Sequence, residues 1–473
     1  MYKELEELSK SDFYPFHMPG HKRQPSGLIF DAAFSFDITE IDDFDNMHHP
    51  EGIIKKLQDE MAGVFRADEA KILVNGSSAG ILAAISAAVK RNGKIIMARN
   101  SHKSAYNAAM LRGLDIRYIY PEYIAEYAMN GGIDPNDVKR AIDECPEAEA
   151  VFITSPTYEG ILSDIEAIAE ICHSREIPLI VDSAHGAHFG LNEKFDRKFG
   201  IEPAIKYADA SIISLHKTLP VFTQTAALLT SGKRIDYRKI SEFCSVYQTS
   251  SPSYLFMAAV DNCLNILRNE GEERFEKLLR ELSDLRKEKY ENITIVGENL
   301  RNRYSLAGYD GSKLCISARG MTGRELYDIL RSSYHLQGEM ASLNYCLFMT
   351  GIMDTEDAFI RLKTALREID ECISNKNAKS VKTNKKTDFN HSLFNGDARV
   401  KIQDAVEENN FEIKFEEADG RTAASWVYAY PPDIPLIVPG EKINSEMIEE
   451  IIKWKKDGIN IIGVNDGEFR VLG

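Results

Sequence analysis

The chain is poor in the features that mark several common protein classes. Its 473 residues carry seven cysteines (Cys145, Cys172, Cys244, Cys263, Cys315, Cys346 and Cys372), scattered singly and without a CxxC pair. That spacing offers neither a disulfide framework nor a structural zinc site, so no metal and a reducing compartment are expected. Apolar runs long enough to span a membrane are missing. Residues 1–10 are charged and amphipathic, without the apolar core of a signal peptide. Positive charge is in deficit too. Lys and Arg number 57 against 73 Asp and Glu, a net charge of −16 spread along the chain, which argues against nucleic acid or an anionic membrane as partner. There is no P-loop, no GxGxxG fingerprint and no internal repeat. A cytoplasmic, soluble protein is the expectation.

What is present is an α/β rhythm. The hydrophobic content of 44% suits a globular protein with a proper core, and the length suits more than one domain. A helical period over residues 53–65 is followed by a strand at 70–74 and by Asn75-Gly76-Ser77-Ser78-Ala79-Gly80, which opens an apolar helix. Further strands are predicted at 94–98, 116–120, 150–154, 177–181 and 210–215, with helices between them. Apolar strands alternating with helices predict a mostly parallel sheet covered on both faces. Ligands of such sheets sit beyond the carboxyl ends of the strands. Ser77, His102, Thr157, Asp182, His185, His216 and Lys217 all fall just past predicted strand ends, so they can converge on one crevice.

Each of these residues has a plainer reading when taken alone. Lys217 also reads as a solvated surface lysine, Ser77 and Ser78 as an ordinary helix cap, and Asp182 as a helix N-cap or surface acid. Together they suggest one cofactor. A small-residue turn at a helix N-terminus presents backbone N–H groups to a phosphate. A lysine beside a buried strand loses basicity and becomes a nucleophile able to hold an aldehyde as a Schiff base. A strand-end carboxylate can pair with a protonated pyridine nitrogen, and an imidazole such as His102 can stack on the ring. That cofactor is pyridoxal 5′-phosphate.

The chain carries, in order, Phe16-His17-Met18-Pro19-Gly20-His21-Lys22, Asn75-Gly76-Ser77-Ser78, Arg99-Asn100-Ser101-His102-Lys103-Ser104, Thr154 to Gly160, Asp182 to His188 and Ser214-Leu215-His216-Lys217-Thr218. Gln248 to Tyr254, Tyr430 to Pro435 and Val438-Pro439-Gly440-Glu441 follow. In these motifs the sequence resembles the Orn/Lys/Arg decarboxylase family, pyridoxal-dependent enzymes of fold type I, in its short form without the N-terminal wing domain. The resemblance implies a large fold type I domain (residues 53–265) built on a mostly parallel seven-stranded sheet, behind an N-terminal arm (1–52). A smaller α/β domain (266–373), a polar linker (374–392) and a C-terminal α/β domain (393–473) follow.

It also implies roles. Lys217 is the Schiff-base lysine, with His102 and His216 beside it in the catalytic set. Ser77, Ser78 and Ala79, helped by Ser214 and His216, hold the phosphate. His102 stacks on the ring, Asp182 binds its nitrogen and His185 lines the other side. Members work as homodimers with active sites at the interface, so residues 249–254, Thr249 and Ser250 among them, reach a neighbouring cofactor. Glu441 approaches the distal amine of the substrate. The implied reaction is α-decarboxylation of a basic amino acid to an amine for polyamine or diamine synthesis, with arginine first, then lysine and ornithine. Another fold type I reaction, transamination or elimination, and a catalytically silent homologue are the alternatives. Two positions depart from the pattern. Ala79 stands where relatives can carry a hydroxyl, and Asp433 stands where many have Gly, in a turn whose shape depends on tolerance of positive φ.

Two local expectations complete the reading. Residues 37–45 are acidic, either a solvated loop or a rim facing a cation. Past Tyr254, one helix to about residue 269 and a second over 270–290 are predicted.

Overall fold

The computed structural model describes residues 11–17, 20, 22, 38–41, 44–301, 304, 306–377, 400–429, 433–456, 458–464 and 467–473. The charged, amphipathic residues 1–10, most of the linker, and Met18, Pro19, His21, Asp37, Asp42, Asp43 and residues 430–432 lie outside the described residues.

Seven strands form the central sheet: β1 (Glu69–Leu73), β2 (Lys94–Ala98), β3 (Asp115–Ile119), β4 (Ala150–Thr154), β5 (Leu179–Asp182), β6 (Ala210–Ile213) and β7 (Ala226–Thr230). Their order is β1-β7-β6-β5-β4-β2-β3. Neighbours from β6 through β5, β4 and β2 to β3 run parallel, and β7 is antiparallel to both β6 and β1. Strands β5 and β6 are buried along their whole length, as runs of Leu, Ile, Val and Ala require when helices cover both faces. This is the fold type I sheet that the βα rhythm and the resemblance predict.

Register places the site. Thr154 at the end of β4 and Ile212 near the end of β6 both pair with Asp182 at the end of β5. Beyond β1 the chain turns at Gly76, whose φ is +75°, into helix α1 (Gly76–Ala88). Beyond β2, His102 caps helix α2 (Lys103–Arg112) by accepting a hydrogen bond from the Ser104 amide. Strand β6 ends at Ile213 rather than Leu215. Lys217 therefore lies in a one-turn helix, α3 (Leu215–Thr218), one step past the strand end.

The two helices expected after Tyr254 are one, α4 (Tyr254–Lys287). Gly271, at the expected break, is buried inside it. Its ideal Cβ would meet only Leu267, at 3.9 Å, so this glycine is tolerated without interrupting the helix. An antiparallel sheet follows, ordered β8-β9-β11-β10 from β8 (Ile293–Val296), β9 (Lys313–Ala318), β10 (Met340–Ala341) and β11 (Cys346–Met349). Residues 400–473 build small antiparallel sheets and helix α5 (Ser445–Lys456) around Phe415, Trp454 and Phe469. Asp45 of the acidic segment is a cap. Its carboxylate accepts from the amides of Glu51 (2.9 Å), Gly52 (2.7 Å) and Ile54 (3.0 Å), which gather at the start of the Ile53–Phe65 helix. Among the described residues no helix is long and apolar enough to cross a membrane.

The described part of the N-terminal arm touches both the turn after β6 and strand β11 of the small sheet. Residues Tyr14–Phe16 pair with Leu336–Gly338, and the Gly20 amide donates to the His216 carbonyl at 2.7 Å. The buried Lys22 ammonium donates to the Met349 carbonyl at 2.6 Å. The arm therefore rests directly on the turn that carries Lys217.

Candidate active site

A cavity of about 380 Å³ opens beyond the carboxyl ends of the parallel strands. Ser77, His102, Thr157, Asp182, His185 and Lys217 share its wall, so six of the seven residues expected to converge meet there. The convergence follows from topology, since Ser77, His102, Thr157 and Lys217 sit past the ends of β1, β2, β4 and β6, and Asp182 and His185 at and past the end of β5.

The Lys217 amine is enclosed. Burial lowers its pKa, while the charges of Asp182 and Glu339 pull the other way. Its nitrogen lies 2.9 Å from Nε2 of His185. Asp182 is 2% exposed. Burial raises its pKa, and its Oδ1 accepts from the Ala184 amide at 3.1 Å. A buried acid so lightly solvated suits a cationic N–H partner inside the cavity.

The three imidazoles nearby are neutral. Burial lowers His102 and His216 to about 4 and takes His185 well below its ordinary value. His102 Nδ1 accepts from the Ser104 amide at 3.2 Å, which leaves the ring proton on Nε2. His216 Nδ1 lies 2.8 Å from the Thr225 carbonyl, an acceptor only, so its proton is on Nδ1 and Nε2 is a bare acceptor. His216 does not line the cavity, and its Nδ1 proton is taken by the Thr225 carbonyl.

Ser214 donates through Oγ to Ser77 Oγ at 2.9 Å, placing two hydroxyls at the N-terminus of α1. Ser78 is exposed and Ala79 buried in the same first turn. Residues fit for an anionic, ring-bearing aldehyde are thus in place. Among the described residues, Asn100 Oδ1 and Thr154 Oγ1 are also buried on this wall with no hydrogen-bond partner, polar atoms that a bound group can satisfy.

The remaining expected residues lie elsewhere. Thr249 and Ser250 are exposed. The Thr249 amide donates to Asn75 Oδ1 at 3.2 Å, beside the α1 turn but on its outer side. Glu441 is wholly buried away from Lys217, its Oε2 3.2 Å from an Arg99 nitrogen and 2.9 Å from the Val438 amide. Among the described residues it lines neither this cavity nor the next. Asp433 adopts φ of +65°, the left-handed conformation that the Gly-to-Asp departure raises. It lines the cavity and binds Lys103 at 2.8 Å.

Sequence reasoning missed three acidic or basic groups. A second cavity of about 280 Å³ adjoins the first, and Glu159 and Glu339 stand in the walls of both. Glu159 accepts from Tyr345 Oη at 2.7 Å, and burial raises its pKa. Glu339 accepts from Tyr158 Oη at 2.5 Å. Lys313, fully buried on β9, reaches Nδ1 of His185 at 3.0 Å. Glu159 lay inside a motif already singled out, Thr154 to Gly160. Glu339 and Lys313 sit outside every motif.

Comparison with known proteins agrees with this geometry. The family model described as Orn/Lys/Arg decarboxylase, major domain, matches residues 1–301, and the C-terminal domain of the same family matches residues 394–458. An arginine decarboxylase of Bacillus subtilis is 31% identical over 484 aligned residues, covering 100% of this chain and 96% of the relative. The uncharacterized protein YaaO of the same organism is 30% identical over 95% of this chain and 93% of its own. In three dimensions, the lysine decarboxylase of Francisella novicida superposes with a TM-score of 0.76 at 20% identity, over 99% of this chain and 80% of that one. The constitutive lysine decarboxylase of Escherichia coli gives 0.76 at 18% identity, over 100% and 81%.

Proposed function

The chain belongs to the Orn/Lys/Arg decarboxylase family, enzymes that remove CO2 from a basic amino acid, and on that premise we propose that it decarboxylates arginine using pyridoxal 5′-phosphate held at Lys217. Lys217 and Asp182, brought from two strands to one cavity wall, carry this reading. The preference for arginine is supported by full-length relatives named arginine decarboxylase. Relatives named lysine decarboxylase align over little more than half of this chain, for example 55% at 22% identity in Pseudomonas aeruginosa.

In this reading Lys217 holds the aldehyde, Asp182 faces the ring nitrogen, and His102 and His185 flank the ring. Ser77, Ser214 and the first turn of α1, with Ser78 and Ala79, take the phosphate through hydroxyls and backbone N–H groups. When bound, the cofactor accepts the electron pair left as the Cα–carboxylate bond breaks. The chain supplies the rest. The buried walls keep water from the reacting carbon. Lys217, its basicity lowered by burial, accepts and returns a proton at Cα, with His185 Nε2 2.9 Å behind it. Glu159 and Glu339, where the two cavities join, receive the distal cation of the substrate, and the second cavity gives a guanidinium room. Thr249 and Ser250, exposed beside the α1 turn, suit contact with a second copy of the chain in a homodimer.

The test is release of labelled CO2 from carboxyl-labelled arginine, lysine and ornithine by the cofactor-loaded protein, with Lys217→Ala alongside. Release from arginine above the others, lost in K217A, is expected. A keto acid in place of CO2 would move the chemistry to transamination.

A further inference from the structure

Lys313 and Lys217 come from different sheets and meet on opposite edges of one imidazole. Lys313 Nζ lies 3.0 Å from His185 Nδ1, and Lys217 Nζ lies 2.9 Å from His185 Nε2. Lys313 reaches this point because Gly160 leaves it room, an ideal Cβ there falling 2.8 Å from Lys313 Cγ. His185 and Lys313 are buried, and Lys217 is half-buried at the cavity wall.

The chemistry of the trio is restrictive. An ammonium only donates, and a neutral imidazole has one N–H and one lone pair. If both lysines were charged, the ring would have to accept at both nitrogens, which a neutral imidazole cannot do. One lysine can be an ammonium. The ring then accepts from it and donates from its far nitrogen to the lone pair of the other, which must be a neutral amine.

The surroundings decide which lysine carries the charge. Asp310 faces Lys313 from its own turn, bound to Ser312 Oγ at 2.6 Å and to His188 Nε2 at 3.2 Å. Burial opposes its ionisation, but His188 and Lys313 hold it below the usual carboxylate range. Glu339 and Glu159 also act on Lys313, and Lys22 of the arm opposes them. Lys217 faces Glu339 and Asp182, and burial favours the protonated form of Asp182. The other near groups, His102 and His216, are neutral. The firmer negative charge is on the Lys313 side. Burial brings Lys313 down only to about 8.

We propose that Lys313 is a positioning residue: its ammonium fixes the ring proton of His185 on Nε2, and His185 in turn holds the Lys217 amine uncharged and ready to attack an aldehyde. The proposal takes its purpose from the reading of Lys217 above, but its test does not need the cofactor.

The experiment is competitive labelling of the cofactor-free protein with trace acetic anhydride across pH, following Lys217 acetylation by peptide mass spectrometry. A small reagent reaches Lys217 because the amine lines the cavity. In Lys313→Met the midpoint for Lys217 labelling rises by about one pH unit, because His185 is free to accept from a Lys217 ammonium. Lys313→Arg, still a charged donor, stays near the wild-type midpoint. Lys313→Gln, whose amide can accept from Nδ1 as well as donate to it, no longer dictates the ring tautomer and rises as Met does, which serves if K313M is insoluble. An unchanged midpoint in the neutral variants, or a rise in K313R equal to that in K313M, overturns the proposal. Failure of the decarboxylase reading is seen separately, as absent CO2 release by the wild-type protein at an unaltered labelling profile.

Discussion

Arg99 and Glu441 form an ion pair sealed inside the protein, their side chains 4% and 1% exposed and their nearest atoms 3.2 Å apart. Arg99 leaves strand β2 of the central sheet, and Glu441 follows the Pro439-Gly440 turn of the C-terminal region. The guanidinium also donates to the carbonyls of Pro435 (2.7 Å) and Leu436 (3.0 Å). The glutamate that the motif places near substrate thus anchors one region of the chain to another.

Breaking one side of such a pair leaves a buried charge without its partner, which costs about 3–5 kcal/mol. Glu441→Ala is therefore expected to loosen residues 400–473 from the large domain at a lower urea concentration than in wild type, read by hydrogen exchange in that segment. Arg99→Met with Glu441→Leu removes both charges and is expected to recover most of the loss. A purely substrate-binding Glu441 predicts the opposite pattern, an unchanged urea profile and a raised KM.

The arm makes a second prediction. An ideal Cβ on Gly20 falls 2.5 Å from the Thr218 carbonyl carbon and 2.6 Å from the Leu219 nitrogen, both backbone atoms that cannot swing away. Gly20→Ala must push the arm off α3, at a cost of about 1–3 kcal/mol. Because Lys217 sits in that turn, cofactor retention is expected to fall with stability, measured by absorbance after dialysis. Gly63→Ala is the control. Gly63 lies exposed within the Ile53–Phe65 helix with nothing within 4 Å of an added Cβ, so alanine there is neutral or stabilising by about 0.5–1 kcal/mol.

Stability of the cofactor-free protein should depend on acid through the buried histidines. In the unfolded chain a histidine titrates near 6.5, and in the folded protein His102 and His216 titrate at about 4. Between these values the unfolded state binds protons that the folded state does not. The contribution of these histidines to stability therefore rises with pH across this window and is lost as pH drops from about 6.5 to about 4, against the opposite contribution of buried acids such as Asp182 and Glu159, whose pKa burial raises. The readout is the difference from wild type: His216→Gln, which removes one of the three protons that His102, His185 and His216 take up on unfolding, is expected to lose less of its urea midpoint than wild type as pH drops through this range. Equal slopes for wild type and variant would remove His216 from the account.

The strand-end half of the site was legible because its signals are local. Wholly apolar runs mark strands buried on both faces, and the residue after each run is then placed by topology, which is why Ser77, His102, Asp182 and Lys217 could be grouped before any coordinates. Lys313 carries no such signal. It opens the run Lys313–Ala318, where a lysine at the start of an antiparallel strand reads as solvent-facing, and only the packing of the small sheet over Gly160 buries it. Glu441 was misplaced for the converse reason, since a motif gives a residue's neighbours in sequence but not the Arg99 that encloses it. The single helix α4 shows the same limit, because propensity alone cannot tell a helix break from a buried, tolerated Gly271.

Glu159 and Glu339 give the last prediction. Both stand where the cofactor cavity meets the second one, and each accepts a tyrosine hydroxyl, from Tyr345 and Tyr158 respectively. Glutamine in either place keeps a carbonyl to accept that hydroxyl but loses the charge. If the acids only position the tyrosines, Glu159→Gln and Glu339→Gln leave kinetics unchanged. If they receive the distal cation of the substrate, each loses a charged hydrogen bond worth about 1.5–3 kcal/mol, a fall of about ten- to a hundredfold in kcat/KM for arginine. The loss is expected mostly in KM, because the contact lies away from the bond that breaks and serves ground state and transition state alike. The two acids must also distinguish substrates. An uncharged analogue of arginine in which the guanidinium is replaced by a urea should be a poor substrate for wild type and should lose little further in the variants. Steady-state CO2 release from the two compounds by the three proteins decides between the roles.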